Sequence, residues 1–100
     1  MLAQLKAENF SKHLNSKFKI FYTDDFIVEA ELTEVFEIKT QENLESFSLI
    51  FLFPPDSPIE QRTFKVEHSE MGIMELFLVP IGQKDNGIRY ESIFNRLLET

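Results

Sequence analysis

The chain has 100 residues, 43% of them hydrophobic and 27% charged, with 11 Phe, no Trp and no Cys. Acidic residues outnumber basic ones 17 to 10, a formal charge of -7 at pH 7. This length is one domain (1–100), long enough to bury roughly 60–70% of its extended surface around a single core. The composition excludes a largely disordered chain, a disulfide scaffold and any Cys-ligated zinc or iron–sulfur centre.

The longest apolar stretches, Leu49–Phe53 and Leu76–Ile81, fall far short of the roughly 20 residues of a membrane-spanning helix. The first residues, Met1-Leu2-Ala3-Gln4-Leu5-Lys6, lack the basic-then-apolar order of a secretory signal, so a cytoplasmic location is expected. The excess of carboxylates repels phosphates, and the Lys and Arg residues are scattered. Neither nucleic acid nor a membrane surface is therefore expected as a partner.

Residues 2–10 read as a short helix. Leu2 and Leu5 share a face, and Ala3, Gln4, Lys6, Ala7 and Glu8 are good helix formers. A helix of about nine residues does not hold alone in water, so it must dock, through Leu2, Leu5 and Phe10.

From Lys17 the period becomes two. Strands over 17–22 and 26–39 flank Thr23-Asp24-Asp25. If Tyr22 faces Phe26, then Ile20 faces Val28 and Phe18 faces Ala30, while Lys19 meets Glu29, Lys17 meets Glu31 and Phe21 meets Ile27. Every pair is then apolar with apolar or opposite charge with opposite charge, and a slip of one residue breaks them all. Asp25, last in the loop, suits the left-handed conformation of a three-residue hairpin connection. A straight strand over 26–39 would run roughly 45 Å, so a bend or bulge is expected near Thr33–Glu34.

Thr40–Glu45 is polar and reads as a loop. Residues 46–53 become apolar on both faces and read as the central strand, with the helix as cover for its second face. Pro54-Pro55-Asp56-Ser57-Pro58 stops that strand. Further strands are expected over 62–68, 73–80 and 88–95, with a turn at Ser69–Gly72 and a hairpin-like loop over Gly82–Gly87. Pro80 suggests that the fifth strand reaches an edge. Ile93, Phe94, Leu97 and Leu98 also fit a helical stripe, so an irregular or helical tail is expected after Phe94. The sum is a mainly β (α+β) domain: about six antiparallel strands in a small, strongly bent sheet or partly open barrel, with one short N-terminal helix plugging an opening.

No motif specifies a chemistry. Asp24-Asp25 reads as a turn, His68 beside Glu67 and Glu70 as the end of a strand, and the glycines form no phosphate-cradling loop. No nucleophile elbow is present, and no catalytic, metal or cofactor residue is assigned. Glu29, Glu31, Glu34 and Glu37 make an acidic stripe, partly matched by Lys17 and Lys19, that could dock a basic partner. Leu97 and Leu98 are candidates for self-association, with the oligomeric state left open. Phe18, Phe26, Phe36, Phe47, Phe51, Phe53, Phe64, Phe77 and Phe94 mostly fall at inward parity and are expected to build the core; the alternative is an apolar ligand cavity.

Three stretches carry a resemblance: Phe10-x-x-His13-Leu14-x-x-x-Phe18, Phe47-Ser48-Leu49-Ile50-Phe51, and His68-x-x-x-Gly72 running through Leu76-Phe77-Leu78-Val79-Pro80 to Tyr90-x-x-x-Phe94-Asn95. From about Phe10 to Arg96 the chain resembles a small bacterial family of domains of unknown function. It departs from that pattern at Asn15, where a Gly is expected after the His-Leu pair, and this touches only the turn geometry. The resemblance implies an accessory or assembly role beside phage-tail-like, collar-type proteins, and a buried network of His13, His68 and Tyr90. The expectation is a non-enzymatic protein-interaction or structural module with a protein partner. The alternative is a small barrel binding an apolar small molecule.

Overall fold

The computed structural model describes residues 6–38, 44–84 and 86–97. Helix α1 (Ala7–Ser11) precedes strands β1 (Lys17–Phe21), β2 (Ile27–Ile38), β3 (Leu44–Phe53), β4 (Arg62–His68), β5 (Gly72–Lys84) and β6 (Gly87–Leu97). The strands are antiparallel neighbours in a ring ordered β1-β2-β3-β6-β5-β4, closed by pairing of β1 with β4. Two three-stranded meanders, β1-β2-β3 and β4-β5-β6, thus meet along β1·β4 and β3·β6. Only three residue pairs hold the first junction, whereas ten, from Leu44↔Leu97 to Phe53↔Ile88, hold the second.

The first hairpin has the register that charge and hydropathy dictate: Lys17↔Glu31, Phe18↔Ala30, Lys19↔Glu29, Ile20↔Val28 and Phe21↔Ile27. Its loop closes differently from expectation. Thr23 Oγ1 accepts the N–H groups of Asp25 (3.2 Å) and Phe26 (3.0 Å), and Asp25 does not enter the left-handed region. A side-chain turn by Thr replaces backbone strain at Asp. Among the described non-glycine residues only Asn15 has positive φ, at 68°. Asn is among the few side chains that tolerate this conformation, so it keeps the turn in which a Gly is expected.

The long middle strand of each meander is bulged, β2 between Leu32 and Glu34 and β5 between Pro80 and Gly82. The β2 bulge reverses side-chain parity. Leu32 points inward and is fully buried, Val35 packs against the core, and Phe36 turns outward with 49% exposure. Pro80 lies within β5 rather than at an edge, since the bulge absorbs its missing donor. The strand runs on to Lys84, which pairs with Gly87, so most of the expected loop over Gly82–Gly87 is strand.

Other boundaries shift for the same reason, a longer ladder. β3 begins at Leu44 and β6 continues to Leu97 because each gives the other a partner, overriding the expected loop at Leu44–Glu45 and the helical tail after Phe94. The expected helix over 2–10 is described from Ala7 to Ser11; Leu2 and Leu5, like Lys39 and Leu98, lie outside the described residues. Phe10 docks as expected, completely buried against the rings of Phe18, Phe47 and Phe94. It therefore plugs the inside of the ring and does not cover the outer face of β3.

Phe47, Leu49, Phe51 and Phe53 form a fully buried inward row on β3. The expectation for the phenylalanines holds for Phe18, Phe47, Phe51, Phe53 and Phe64 and fails for Phe26, Phe36 and Phe77, which are 44%, 49% and 52% exposed. Phe26 precedes β2 and stacks on Tyr22, Phe36 follows the bulge, and Phe77 has the parity opposite to the buried Leu76 and Leu78.

Two substitutions test these turns. At Gly87 (φ 150°) a Cβ would collide with the Phe53 carbonyl and the Leu52 side chain. Gly87→Ala should lower unfolding free energy by about 1–3 kcal/mol, read as a reduced urea midpoint; an unchanged midpoint would refute the packing. Asn15→Val should cost about 1–2 kcal/mol in the same assay, while Asn15→Gly should stay close to the parent.

Candidate functional site

Polar clusters close both ends of the ring. At the α1 end, His68 is the last inward residue of β4 and is 3% exposed. Its Nδ1 accepts the backbone N–H groups of Glu70 (3.1 Å) and Met71 (3.2 Å). A ring nitrogen that accepts N–H groups carries no proton, so the neutral imidazole is protonated at Nε2 and donates to Ser16 Oγ at 2.9 Å. The Ser16 hydroxyl donates to the His13 carbonyl at 2.5 Å. The His13 ring lies 4.5 Å from that of His68, its Nδ1 is 3.9 Å from Glu70 Oε2, and the Phe18 ring packs on His68 at 4.4 Å. Burial holds the His68 pKa below its ordinary value; neighbouring His13 adds to the depression and Glu70 opposes it.

The Ser16–His68 distance is that of a nucleophile and its base, but the proton runs the other way. A general base needs a bare nitrogen facing the hydroxyl proton. Here Nε2 donates and the hydroxyl proton is committed to a carbonyl. The cluster instead ties the connection after α1 to the turn after β4.

At the opposite end the segment between β3 and β4 folds over the opening. Tyr22 Oη donates to the Pro58 carbonyl at 2.6 Å, and Tyr90 Oη accepts the Glu60 N–H at 3.0 Å. Arg62 donates to the Tyr22 carbonyl (2.7 Å) and to Glu60 (2.8 Å), and its guanidinium lies over the Phe64 ring at 4.3 Å. Burial pushes the Tyr22 phenol pKa well above its ordinary value; Tyr90 and Glu60 reinforce this and Arg62 opposes it. The single network implied for His13, His68 and Tyr90 is therefore two: the histidines share one cluster and Tyr90 belongs to the other.

The remaining chemistry is on the outer surface. An open cleft of about 480 Å3 lies beside β1 and β4, lined by Lys17, Lys19, Glu29, Glu67 and Glu70 with Ser16 and His68. Of the acidic stripe, Glu29 and Glu31 face outward opposite Lys19 and Lys17, with Glu31 3.9 Å from Lys17 Nζ. Glu34 pairs with Arg89 at 3.3 Å. Glu37 lies beyond the bulge opposite inward-facing Phe47, so the four carboxylates do not share one face. Leu97 is a strand residue opposite Leu44; its side chain and Leu98 lie outside the described residues. Among the described residues, no group of three or more His, Cys, Asp or Glu is placed to hold a metal ion, and no helix is long and apolar enough to cross a membrane.

Sequence reasoning missed an outward apolar rung, Phe36–Ser48–Ile93, across β2, β3 and β6. Phe36 and Ile93 are 49% and 58% exposed, while Ser48 between them is buried. The signal was the alternation of small Ser46 and Ser48 with the core residues of β3, once the bulge is placed correctly.

Fold and site together define a small, mainly β ring with filled interior, capped by one helix. The chain belongs to the family described as a domain of unknown function, DUF6916, which it matches over residues 5–94. No curated protein and no solved structure shows significant similarity to it.

The depressed pKa of His68 links stability to pH. The unfolded chain binds a proton near pH 6.5 that the folded chain resists, so this contribution is complete above that value and is lost as pH falls through it toward the folded pKa. Urea midpoints measured from pH 8 to about 5.5 should fall for the parent. They should fall less steeply for His68→Asn, whose amide oxygen can still accept the turn N–H groups. An equal slope in both proteins would remove His68 as the cause.

Proposed function

We propose that this domain is a non-enzymatic protein-interaction or structural module that binds a protein partner through the outside of the ring. The exposed Phe36–Ser48–Ile93 rung carries this reading. Large apolar side chains on the outer face of a sheet lower the free energy of association when a partner covers them. The charge of -7 and the outward Glu29, Glu31 and Glu34 favour a partner with basic residues around an apolar centre. The association with phage-tail-like, collar-type proteins belongs to this proposal and rests on the resemblance alone. It would make the partner another component of a bacterial assembly. An apolar small-molecule ligand finds less support, because the inward positions are filled by the chain's own Phe, Leu and Ile side chains and the cleft beside β1 and β4 is charged.

The test is affinity capture from the native host with the parent chain and with a Phe36→Ser/Ile93→Ser double variant. Both positions are exposed, so the variant should fold. The parent should retain specific proteins that the variant loses by about tenfold, as expected when hot-spot contacts are removed. Equal recovery by both chains, or none by either, would overturn the reading.

A further inference from the structure

The ladder between β5 and β6 covers only part of both strands. It runs from Val79↔Glu91 to Lys84↔Gly87. Upstream, β5 pairs with β4 from Leu78↔Arg62 to Gly72↔His68. Downstream, β6 pairs with β3 from Ser92↔Leu49 to Leu97↔Leu44. Continuing the β5–β6 register would set Phe77 opposite Ile93 and Glu75 opposite Asn95, yet among the described residues no ladder joins them. Each strand is therefore held on one side only along this stretch. The result is a seam toward the α1 end with a row of backbone N–H and C=O groups on each lip that lack a ladder partner.

Free strand edges pair with other chains unless they are protected. This seam has little such protection: 72–78 and 92–97 contain no Pro and no Lys, and one charged residue each, Glu75 and Arg96. The side chains flanking it on the outer face are Ile73 and Phe77 on β5 and Ile93 on β6, at 43%, 52% and 58% exposure. The carboxylates around them are Glu75 on the β5 lip, Glu67 directly opposite Ile73 on β4, and Glu91 at the last paired position of β6, where it accepts the Ser48 hydroxyl at 2.8 Å. Arg89, the neighbouring cation on β6, is engaged by Glu34, and Lys65, opposite Glu75, lies over the Phe21 ring at 4.7 Å.

We infer that the seam is a strand-addition site for an extended segment of a partner protein in which apolar and basic residues alternate. This deepens the interaction reading above and rests on it. The backbone edges supply hydrogen bonds that any extended chain can complete, and side-chain periodicity supplies the selectivity. An apolar residue of the added strand would lie beside Phe77 and Ile93, and a Lys or Arg two positions along would reach Glu75 or Glu91. A second copy of this chain fits less well, because each copy carries a charge of -7 and the outer face around the seam holds Glu67, Glu75 and Glu91.

The test uses the full chain and acetylated hexapeptides of alternating Val and Lys, Val and Glu, or Gly and Lys. Amide exchange and amide chemical shifts are followed by NMR. In the free chain the edge amides of 73–77 and 92–95 should exchange readily, and the Val–Lys peptide should protect them. Val–Glu should not, for want of charge complementarity, and Gly–Lys should bind at least about tenfold more weakly for want of the apolar contacts. Phe77→Lys, at an exposed position, should weaken Val–Lys binding to a similar degree. The inference is overturned if Val–Lys binds only at the cleft beside Glu29 and Glu67, or if it fails to bind. Protection of the edge amides in the free chain, or protection that rises with protein concentration alone, would also overturn it. Capture that depends on Phe36 and Ile93, with the seam amides unaffected by peptide, would remove the strand-addition site and leave the interaction module standing.

Discussion

Six strands close into this ring because the two long ones each serve two neighbours. A strand has one ladder on each edge, and the right-handed twist of a sheet carries neighbours apart as they lengthen. β2 pairs with β1 over its first five residues and with β3 beyond, and β5 divides itself between β4 and β6 in the same way. In both, a bulge falls where the second ladder is being established. The extra unpaired residue bends the strand and increases its local twist, which lets so few strands enclose a core. Two hairpins with straight middle strands would make an open sheet with one face of its phenylalanines exposed to water.

The bulge also decides what the outside of the molecule looks like. An inserted residue reverses inward and outward for everything that follows on its strand. Phe36 is exposed and Val35 partly buried for this reason, and Glu37 leaves the face that carries Glu29 and Glu31. The β5 side shows the complementary effect. Its first half follows β4 and, among the described residues, leaves the end of β6 beyond Glu91 without a second ladder. The geometry that seals the interior thus exposes both an apolar rung and a strand seam on the exterior.

The ends of the ring are closed by polar clusters, and their chemistry explains why so many hydrogen-bonding groups sit against an aromatic core. Turn amides facing a buried region need acceptors, and leaving them unpaired costs about 1–3 kcal/mol each. His68 accepts two such amides with one nitrogen, and Tyr90 Oη accepts the Glu60 N–H at the far end. That use fixes the His68 tautomer, and the fixed tautomer governs what Ser16 can do. A short Ser–His contact means something different when the other ring nitrogen accepts hydrogen bonds from the backbone than when it donates one to a carboxylate. Here the pair is a structural tie whose strength depends on the imidazole staying neutral.

Local pairing was legible in the sequence wherever neighbouring segments interact. The first hairpin could be read residue by residue because alternating charge and hydropathy admit one register. The bulge near Thr33–Glu34 could be placed from strand length and the interrupting Glu. Its effect on parity depends on which residue is left unpaired, which pattern alone does not fix, so Phe36 reads as a core residue in the sequence. The extensions of β3 and β6 were illegible because they depend on long-range pairing, Leu44 with Leu97, and local composition favoured a loop and a helix. The histidine cluster was hidden for the same reason: His13 and His68 are 55 positions apart, and ring closure through β1 and β4 brings them together. Pairing between neighbouring segments follows from local sequence, whereas the Phe36–Ser48–Ile93 rung and the histidine cluster arise where the two meanders meet, along β3·β6 and β1·β4. The β5–β6 seam lies within the second meander, and it opens because the first half of β5 follows β4 while the end of β6 follows β3.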